Sequence, residues 1–369
     1  MVDGTALRAR SALVGLLAAS TLIVGCDDGS VGRDGPDGDD RILGHDPEPL
    51  EARHSAVLGL HGLSSTFEDR YDGTPLCTAT IIGAHTVLTA AHCVVARDDE
   101  GTPLVDPDTG ALVAVEPGAL ALDLGAATEY GSTLHPTVTI ELRQIVMHDS
   151  YIGGPLNDLA ILMTVPDALE RTGADPIRPT AGMDEGDLDL EWGLELVGYG
   201  YHDIEPVEVG PNLPPNGIKM HTDQELGGYG CAPIYTCADD ESLEPQLMWW
   251  PNDEVAGACY GDSGGPVLVF RDLEGNPVTE DDPDARAFVG GVISGGSSGC
   301  YGVGFGPRLD AHIGFLDRHL ADLDGDGEVA FPDVLVMSAQ FGGPGSADFN
   351  GNDLVDFADF IVLAAHFGS

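Results

Sequence analysis

Short apolar runs separated by turn-forming residues dominate the long central part of the chain. Residues 79–82, 87–89 and 194–197 are rich in Val, Ile, Leu and Thr, and clusters of Gly, Pro, Asn and Asp separate such runs. Runs of this length and composition are typical of β-strands bounded by turns. The pattern predicts an all-β domain built from many short strands.

Helical spacing appears near the end of this β-rich region. Ile313, Leu316 and Leu320 recur at intervals that place them on one face of a helix. We therefore expect a C-terminal helix to complete a domain that spans residues 42–320. The texture changes again at residue 321, and residues 321–369 are expected to form a second, small module.

The first 26 residues predict export from the cell. Arg8 and Arg10 precede an apolar run over residues 12–24, which fits a signal peptide and is too short to span a membrane. The run leads into residues 22–26 (LIVGC), which resemble the lipobox of bacterial lipoproteins and would make Cys26 the lipidated N-terminus. The protein would then be anchored at the cell envelope, or secreted after release. An ordinary signal peptide that contains a cysteine is the alternative.

Residues 27–41 predict a flexible acidic tether, because they hold too little apolar surface to offset the cost of ordering. The whole chain is also acidic, with 62 Asp and Glu against 15 Lys and Arg and a net charge of −47. Such a charge excludes nucleic acid and anionic membrane as partners, so membrane attachment would depend on the lipid at Cys26. A solvated surface and an acidic partner-binding surface both stay open, and dense carboxylates favour Ca²⁺.

Three separate segments carry the residue types that peptide hydrolysis needs, namely a hydroxyl nucleophile, a base and a carboxylate that orients the base. These segments are residues 88–93 (LTAAHC), 157–162 (NDLAIL) and 261–266 (GDSGGP). In sequence and in chain order they resemble the histidine, aspartate and serine segments of the chymotrypsin/trypsin family of serine proteases.

The resemblance implies a catalytic triad of His92, Asp158 and Ser263, with the backbone N–H groups of Gly261 and Ser263 as the oxyanion hole. It also implies two antiparallel six-stranded β-barrels with the triad in the cleft between them. The implied function is a monomeric, secreted serine endopeptidase that cleaves proteins or peptides through an acyl-enzyme and needs no cofactor for catalysis. The alternative is a catalytically silent binding protein on the same fold.

The seven cysteines would leave one unpaired in an exported protein, and assigning Cys26 to lipid leaves six for three bridges. The family resemblance implies two of these bridges, Cys77–Cys93 and Cys259–Cys300. Cys231 and Cys237 have no clear family counterpart, and their pairing is inferred by elimination.

Residues 41–44 (RILG) resemble the activation site of the same family. The resemblance implies that cleavage between Arg41 and Ile42 frees an α-amino group, which would pair with Asp262 and order the oxyanion loop. Because this cut lies beyond Cys26, it would also release the enzyme from the membrane. The alternative is that Arg41 merely ends the tether.

Alignment with the serine segment places Gly257 at the base of the primary substrate pocket. Ser294 and Gly296 match the segment that binds the substrate backbone, and Gly304 would be a further glycine on the pocket wall. Three glycines predict an open, uncharged slot and cleavage after large apolar residues. Such an enzyme would need another protease to cut after Arg41.

The C-terminal module contains an internal repeat, since residues 322–327 (DLDGDG) match residues 348–353 (DFNGND) at a period of 26 residues. Oxygen-bearing residues recur at loop positions that converge ligands on Ca²⁺. The candidate calcium ligands are Asp322, Asp324, Asp326, Glu328 and Asp333 in the first loop, and Asp348, Asn350, Asn352, Leu354 and Asp359 in the second. The turn glycine of the first loop, Gly327, is replaced by Asp353 in the second, so the second loop departs from the calcium-binding pattern at this position.

Each loop precedes one short predicted helix, over residues 333–341 and 359–367, an arrangement that resembles dockerin domains. The resemblance implies calcium-dependent folding and a cohesin-type docking partner. Loop positions that usually carry hydroxyl residues hold Phe331-Pro332 and Phe357-Ala358 instead, and this departure bears on cohesin recognition. An acidic, turn-rich tail without metal is one alternative. Another is that docking is the main function of the chain, which the protease only processes.

Overall fold

A computed structural model describes most of the central and C-terminal chain. The described residues are 52–62, 75–98, 100–123, 139–165, 168–180, 182–183, 187, 193–200, 219–232, 246–252, 257–297, 300 and 302–369. Contacts divide the chain into Met1–Pro36 and Asp37–Ser369, and every described residue belongs to the second unit. The predicted signal peptide, Cys26, Arg41 and Ile42 lie outside the described residues. Within the described part, no helix has the length and apolar character that crossing a membrane requires.

The first half of the described chain forms one antiparallel sheet in the order β5-β4-β1-β2-β3-β7-β6. Its strands are β1 (Val57–Gly62), β2 (Cys77–Ile81), β3 (Thr86–Thr89), β4 (Leu120–Asp123), β5 (Thr139–Ile140), β6 (Leu142–Met147) and β7 (Ala160–Thr164). Strands β2, β3 and β7 are buried along their whole length, and threonine is the only polar residue in them. Because β4 also contacts β6, the sheet curls towards a barrel.

The second half forms two smaller sheets. Their strands are β8 (Leu194–Gly198), β9 (Met220–Gln224), β10 (Gly228–Tyr229), β11 (Leu247–Asn252), β12 (Pro266–Arg271), β13 (Pro277–Val278), β14 (Arg286–Val292), β15 (Gly295–Gly296) and β16 (Gly302–Pro307). One sheet has the order β10-β11-β16-β15 and the other β13-β12-β8-β9, with β14 also paired to β12.

The all-β prediction is confirmed in its coarse form, because the described residues are mostly β and contain few helices. Among the described residues, the strands form one seven-stranded sheet and two smaller sheets, so the predicted count of six strands in each barrel is not reproduced. The register of β12 against β14 shifts between Val267 and Leu268, and a second shift occurs between Leu142 and Gln144.

The C-terminal residues add three helices to the sheets. These are α1 (Ile313–Leu320), α2 (Phe331–Gln340) and α3 (Phe357–Ala365). The last two begin two residues earlier than the sequence predicts, and an aspartate in the first turn of each accepts a backbone N–H from just before the helix. Asp333 Oδ2 accepts from Ala330 N at 2.7 Å, and Asp359 Oδ2 accepts from Asp356 N at 2.9 Å.

The C-terminal repeat shares its apolar core with the first sheet. Leu323, Met337, Phe349 and Leu363 are buried in the same cluster as the side chains of β1 to β7. The repeat is therefore packed as part of one unit with the β-rich region.

Candidate active site

His92 and Asp158 are brought together by two paired strands. His92 lies in the short 3₁₀ turn Ala91–Cys93 that follows β3, and Asp158 lies two residues before the start of β7 at Ala160. Strands β3 and β7 pair with Thr89 opposite Ala160, which places the two segments side by side. His92 Nδ1 lies 2.7 Å from Asp158 Oδ2, and the His92 backbone N–H donates to Asp158 Oδ1 at 2.8 Å. The carboxylate therefore fixes both the ring and the backbone of the histidine.

The surroundings of Asp158 favour a charged imidazole. Burial lowers the pKa of His92, but the charge of Asp158 and its hydrogen bond raise that pKa further, so the net shift is upward. Ser294 Oγ also donates to Asp158 Oδ2 at 2.5 Å. Asp158 is 1% exposed and thus acts as a buried acceptor for one serine and one histidine.

Ser263 lies beside this pair on the loop that precedes β12. Its carbonyl accepts from Thr78 N at 2.8 Å, and the next residue, Gly264, donates to Ile293 O at 2.7 Å. Cys93 Sγ lies 3.6 Å from Ser263 O and 3.7 Å from His92 Nε2, so one sulfur contacts both residues. Among the described residues, no hydrogen bond joins Ser263 to His92. Such bonds are often long before substrate binds.

The loop around Ser263 presents backbone donors. Gly261 has a φ of +100°, a conformation that glycine adopts without strain, and its carbonyl accepts from Thr78 Oγ1 at 2.9 Å. Within the described part of the chain, the N–H groups of Gly261 and Ser263 donate to no other group. They can therefore donate hydrogen bonds to a substrate oxygen.

Asp262, between these two residues, is almost fully buried, at 1% exposure. It accepts from Gly200 N at 2.7 Å and from Cys259 N at 2.8 Å. Burial raises the pKa of Asp262 to about 7, although the two backbone hydrogen bonds act in the opposite direction. A Cβ atom at Gly198 or Gly200 would overlap this carboxylate, so the sequence leaves room for it. The predicted partner, Ile42, lies outside the described residues.

Two of the three predicted disulfides are confirmed. Cys77 and Cys93 are bonded with a Cα–Cα distance of 6.2 Å, and Cys259 and Cys300 with 5.0 Å. The first joins the histidine turn to β2, and the second joins the serine loop to the chain before β16. Cys231 is also disulfide-bonded, while its predicted partner Cys237 lies outside the described residues.

Two of the predicted pocket glycines lie against protein side chains rather than beside open space. A Cβ atom at Gly257 would meet the side chain of Asn252, and one at Gly304 would overlap the indole of Trp250. Asn252 is 2% exposed and donates from Nδ2 to Ala258 O at 3.1 Å. Sequence reasoning missed Asn252 because it lies outside the serine segment and belongs to no motif. These two glycines make room for protein side chains, and Gly296 pairs with Gly304 across β15 and β16.

The first C-terminal loop gathers three carboxylates. Ligand atoms of Asp322, Asp324 and Asp326 all lie within 4.8 Å of one another. Asp322 is 5% exposed, and its Oδ1 has no hydrogen-bond partner among the described residues. Asp333 is fully buried, and its Oδ1 accepts from Leu323 N at 2.7 Å. A buried oxygen without a donor, within an all-oxygen set, fits a hard cation such as Ca²⁺.

The second loop has a similar backbone but different electrostatics. Asp353 has a φ of +64° where the first loop has Gly327 at +98°, so the turn forms without the glycine. Both oxygens of Asp348 accept loop N–H groups, Oδ1 from Gly351 at 2.9 Å and Oδ2 from Asp353 at 2.8 Å. The second loop therefore fits a cation less well than the first.

Three arginines of the β-rich region contact the repeat. Arg143 Nη2 lies 3.3 Å from Asp322 Oδ2, and Arg286 Nη2 lies 2.8 Å from Asp353 Oδ2. Arg178 is half-buried and donates to Ile82 O at 3.0 Å and to Ser346 O at 2.9 Å. A cavity of about 950 Å³ lies between the two parts and includes Arg178 and Arg286 in its lining. The loops thus face their own chain.

Comparison with known proteins finds similar proteases. Residues 53–203 match the protein-family model for Trypsin. The rat (Rattus norvegicus) tissue-type plasminogen activator is 26% identical over 53% of this chain and 32% of its own length. Trypsin zeta of Drosophila melanogaster is 27% identical over 54% of this chain and 62% of its own. The CLIP domain-containing serine protease HP8 of Bombyx mori is 25% identical over 67% of this chain and 62% of its own.

The aligned part of this chain thus spans less than two thirds of the length of each of these relatives. The family match begins just before β1 and ends just after β8, a stretch that contains both His92 and Asp158. Residues 53–203 are therefore similar to the Trypsin family, and the relatives that match this chain include a trypsin and a serine protease.

Proposed function

We propose that the chain is an exported serine endopeptidase that uses Ser263, His92 and Asp158 as its catalytic triad. The observation that carries this proposal is the pairing of His92 Nδ1 with the buried Asp158 carboxylate at 2.7 Å, beside the loop that bears Ser263. A carboxylate on Nδ1 leaves Nε2 as the basic nitrogen, which is the one that a serine nucleophile requires.

The reaction follows from these positions. Ser263 Oγ attacks the scissile carbonyl while His92 Nε2 takes its proton, and Asp158 stabilises the imidazolium that forms. The N–H groups of Gly261 and Ser263 hold the oxyanion. His92 then gives the proton to the leaving amine, which departs and leaves an acyl-enzyme on Ser263. Water, activated by His92, hydrolyses this ester and restores the free hydroxyl.

Hydrolysis of an unfolded protein substrate by the activated chain tests this proposal. Activity that is lost with Ser263→Ala supports it, whereas a well-folded, activated chain without hydrolysis favours the silent binding protein instead.

We propose cleavage after apolar residues, because Gly257, Gly296 and Gly304 bring no charge to the pocket. Asn252 and Trp250 would limit its size, and peptide-library profiling measures the preference.

We propose that cleavage between Arg41 and Ile42 by another protease activates the enzyme. The support is Asp262, a buried carboxylate that the described residues hold with two backbone N–H groups but with no cation. A new ammonium at Ile42 would offset the cost of burying this charge. Since Cys26 precedes the cut, activation would also release a lipid-anchored enzyme. Active protein that begins at Ile42 and still fractionates with membranes would contradict release.

The pH dependence of stability should report the state of Asp262. Its pKa rises from 3.8 to about 7 on folding, so the protonated form adds stability that is present below about pH 4 and is lost as pH rises through 7. At about 1.4 kcal/mol for each pH unit, the loss approaches roughly 4 kcal/mol in the uncleaved chain. Unfolding by denaturant between pH 4 and 8 measures it.

Two matched proteins make that experiment specific. Asp262→Asn removes the titration and should flatten this part of the pH profile. The chain cleaved before Ile42 should also lose less stability, because the ammonium stabilises the ionised carboxylate. Identical pH profiles for the uncleaved, cleaved and Asp262→Asn proteins would contradict the proposed role of Asp262.

We propose that the first C-terminal loop binds Ca²⁺ through Asp322, Asp324 and Asp326, with Asp333 completing the set. Calcium should raise the melting temperature, because a ligand at about a hundredfold excess over its Kd stabilises a fold by about 3 kcal/mol. Asp324→Asn should remove most of this effect. Asp106→Asn, at a half-buried loop aspartate outside the repeat, is the control and should keep this effect. Equal calcium responses in both variants would argue against the site.

The repeat would then act first as a structural part of its own chain. Its loops contact Arg143, Arg178 and Arg286, and we propose that calcium strengthens this packing as well as the fold of the module. A cohesin-type partner stays a further proposal. It would have to use the exposed faces of α2 and α3, where Phe331 is 63% and Phe357 is 66% exposed.

A further inference from the structure

A buried group of two histidines and a glutamate lies outside the proposed active site. His54 and Glu195 are fully buried and His221 is 11% exposed. Their ligand atoms, two imidazole nitrogens and one carboxylate oxygen, lie within 4.8 Å of one another. We propose that these three residues form a binding site for a divalent transition metal of the zinc class.

The geometry converges on one point. His54 Nε2 lies 2.7 Å and His221 Nδ1 lies 2.9 Å from the same atom, Glu195 Oε1. The two rings flank that oxygen, with centroids 4.4 Å apart and planes tilted by 38°. Zinc bonds of about 2.0–2.1 Å in a tetrahedron place ligand atoms about 3.3 Å apart, so a separation of a few tenths of an ångström suffices to admit the ion.

The backbone supplies a rigid frame for these ligands. Strands β8 and β9 pair with Glu195 opposite Asp223 and Val197 opposite His221, so Glu195, His221 and Asp223 project from one face. His54 comes from the 3₁₀ turn just before β1. Ligands held on paired strands are positioned more accurately than ligands on loops.

Charged side chains surround the group, and the acidic ones among them would attract a cation towards it. Arg53 donates from Nε to Glu195 Oε2 at 2.8 Å and also pairs with Glu280, while Lys219 donates to His54 O at 2.8 Å. Arg53 Nε therefore occupies Oε2 of Glu195. Oε1 contacts the two histidines and, at the longer distance of 3.2 Å, Arg53 Nη2. Asp223 and Glu280 also come within 4.8 Å of Glu195. They would draw a cation inwards.

The donor set distinguishes this site from the C-terminal loops. Two imidazoles and one carboxylate suit zinc, copper or nickel, whereas an all-oxygen loop suits calcium. A metal here would fasten the segment before β1 to β8. Gly200, just beyond β8, donates to Asp262. The site would therefore hold the N-terminal region of the domain near Asp262, the proposed partner of the new amino group at Ile42.

Metal binding to the full chain tests this inference. The protein is stripped with a chelator, returned to excess Ca²⁺ to fill oxygen sites, and titrated with ZnCl₂ and, separately, CoCl₂. We expect one Zn²⁺ per chain and intense visible absorption of four-coordinate Co²⁺. His221→Asn and Glu195→Gln should each weaken Zn²⁺ binding at least about tenfold. His366→Asn, which removes a histidine outside the group, should bind like the parent chain.

One further readout separates the site from a purely structural network. Circular dichroism checks that each variant is folded, and a folded His221→Asn chain that has lost Zn²⁺ supports the proposal even if it is less stable. Zn²⁺ binding below about a tenth of one ion per chain would overturn it, leaving the contacts with Arg53, His54 and His221 as the role of Glu195. Equal binding by the parent chain, His221→Asn and Glu195→Gln would also overturn it.

Discussion

Asp158→Asn should lower kcat about 10⁴-fold while changing KM little. The carboxylate of Asp158 accepts from His92 Nδ1 at 2.7 Å, which keeps the proton on Nδ1 and the lone pair on Nε2. An asparagine would turn an N–H₂ group towards Nδ1 and favour the opposite tautomer, in which Nε2 carries the proton. That tautomer cannot accept the proton of Ser263. Steady-state kinetics of the activated enzyme on a peptide substrate measure the effect.

Ser294→Ala is the matched control, because Ser294 Oγ contacts the same carboxylate oxygen but does not set the tautomer. Removing one hydrogen bond to a charged group should cost roughly 1.5–3 kcal/mol, or about ten- to a hundredfold. Asp158→Asn should therefore be the more severe change by two orders of magnitude or more. If Asp158→Asn kept activity within about tenfold of the parent enzyme, Asp158 would not orient the base.

Gly264→Ala should prevent the serine loop from folding as it does here. Gly264 has a φ of +87°, and a Cβ atom would overlap both Thr89 Oγ1 and the backbone carbonyl of Thr78. The conformation alone costs an alanine about 1–2 kcal/mol, and the overlap adds roughly 3 kcal/mol because a backbone oxygen cannot move aside. We expect a loss of about 5 kcal/mol in the free energy of unfolding, measured by urea denaturation.

Gly275→Ala isolates the steric part of that effect. Gly275 has the same φ of +87°, but nothing lies within 4 Å of the position that its Cβ atom would take. It should lose only about 1–2 kcal/mol, the cost of the backbone conformation. Similar losses for the two variants would mean that the space around Gly264 is not closed, and that the serine loop packs differently against β2 and β3.

Much of the site could be predicted because it depends on local sequence. The segments around His92, Asp158 and Ser263 each carry a recognisable pattern, and paired strands then bring His92 and Asp158 together. The two disulfides at Cys93 and Cys259 followed from the same patterns. The mostly β fold followed from the alternation of short apolar runs with turn residues.

The remaining features depend on contacts between distant parts of the chain. Arg143 and Asp322 are 179 residues apart, and nothing near either residue indicates that they meet. The same holds for His54 and Glu195, which are separated by 141 residues. The pocket prediction fell short for a related reason, since a glycine pattern does not reveal that Asn252 and Trp250 fill the space beside Gly257 and Gly304.

Site-specific labelling of Ser263 is the most direct test of the central claim. The chain cleaved before Ile42 is treated with a fluorophosphonate, digested and sequenced by mass spectrometry. One phosphonyl group per chain, on Ser263, is the predicted result, with no label on His92→Ala under the same conditions. A folded, cleaved chain whose Ser263 stays unmodified, or one labelled only at another residue, would contradict the assignment of Ser263 as the nucleophile.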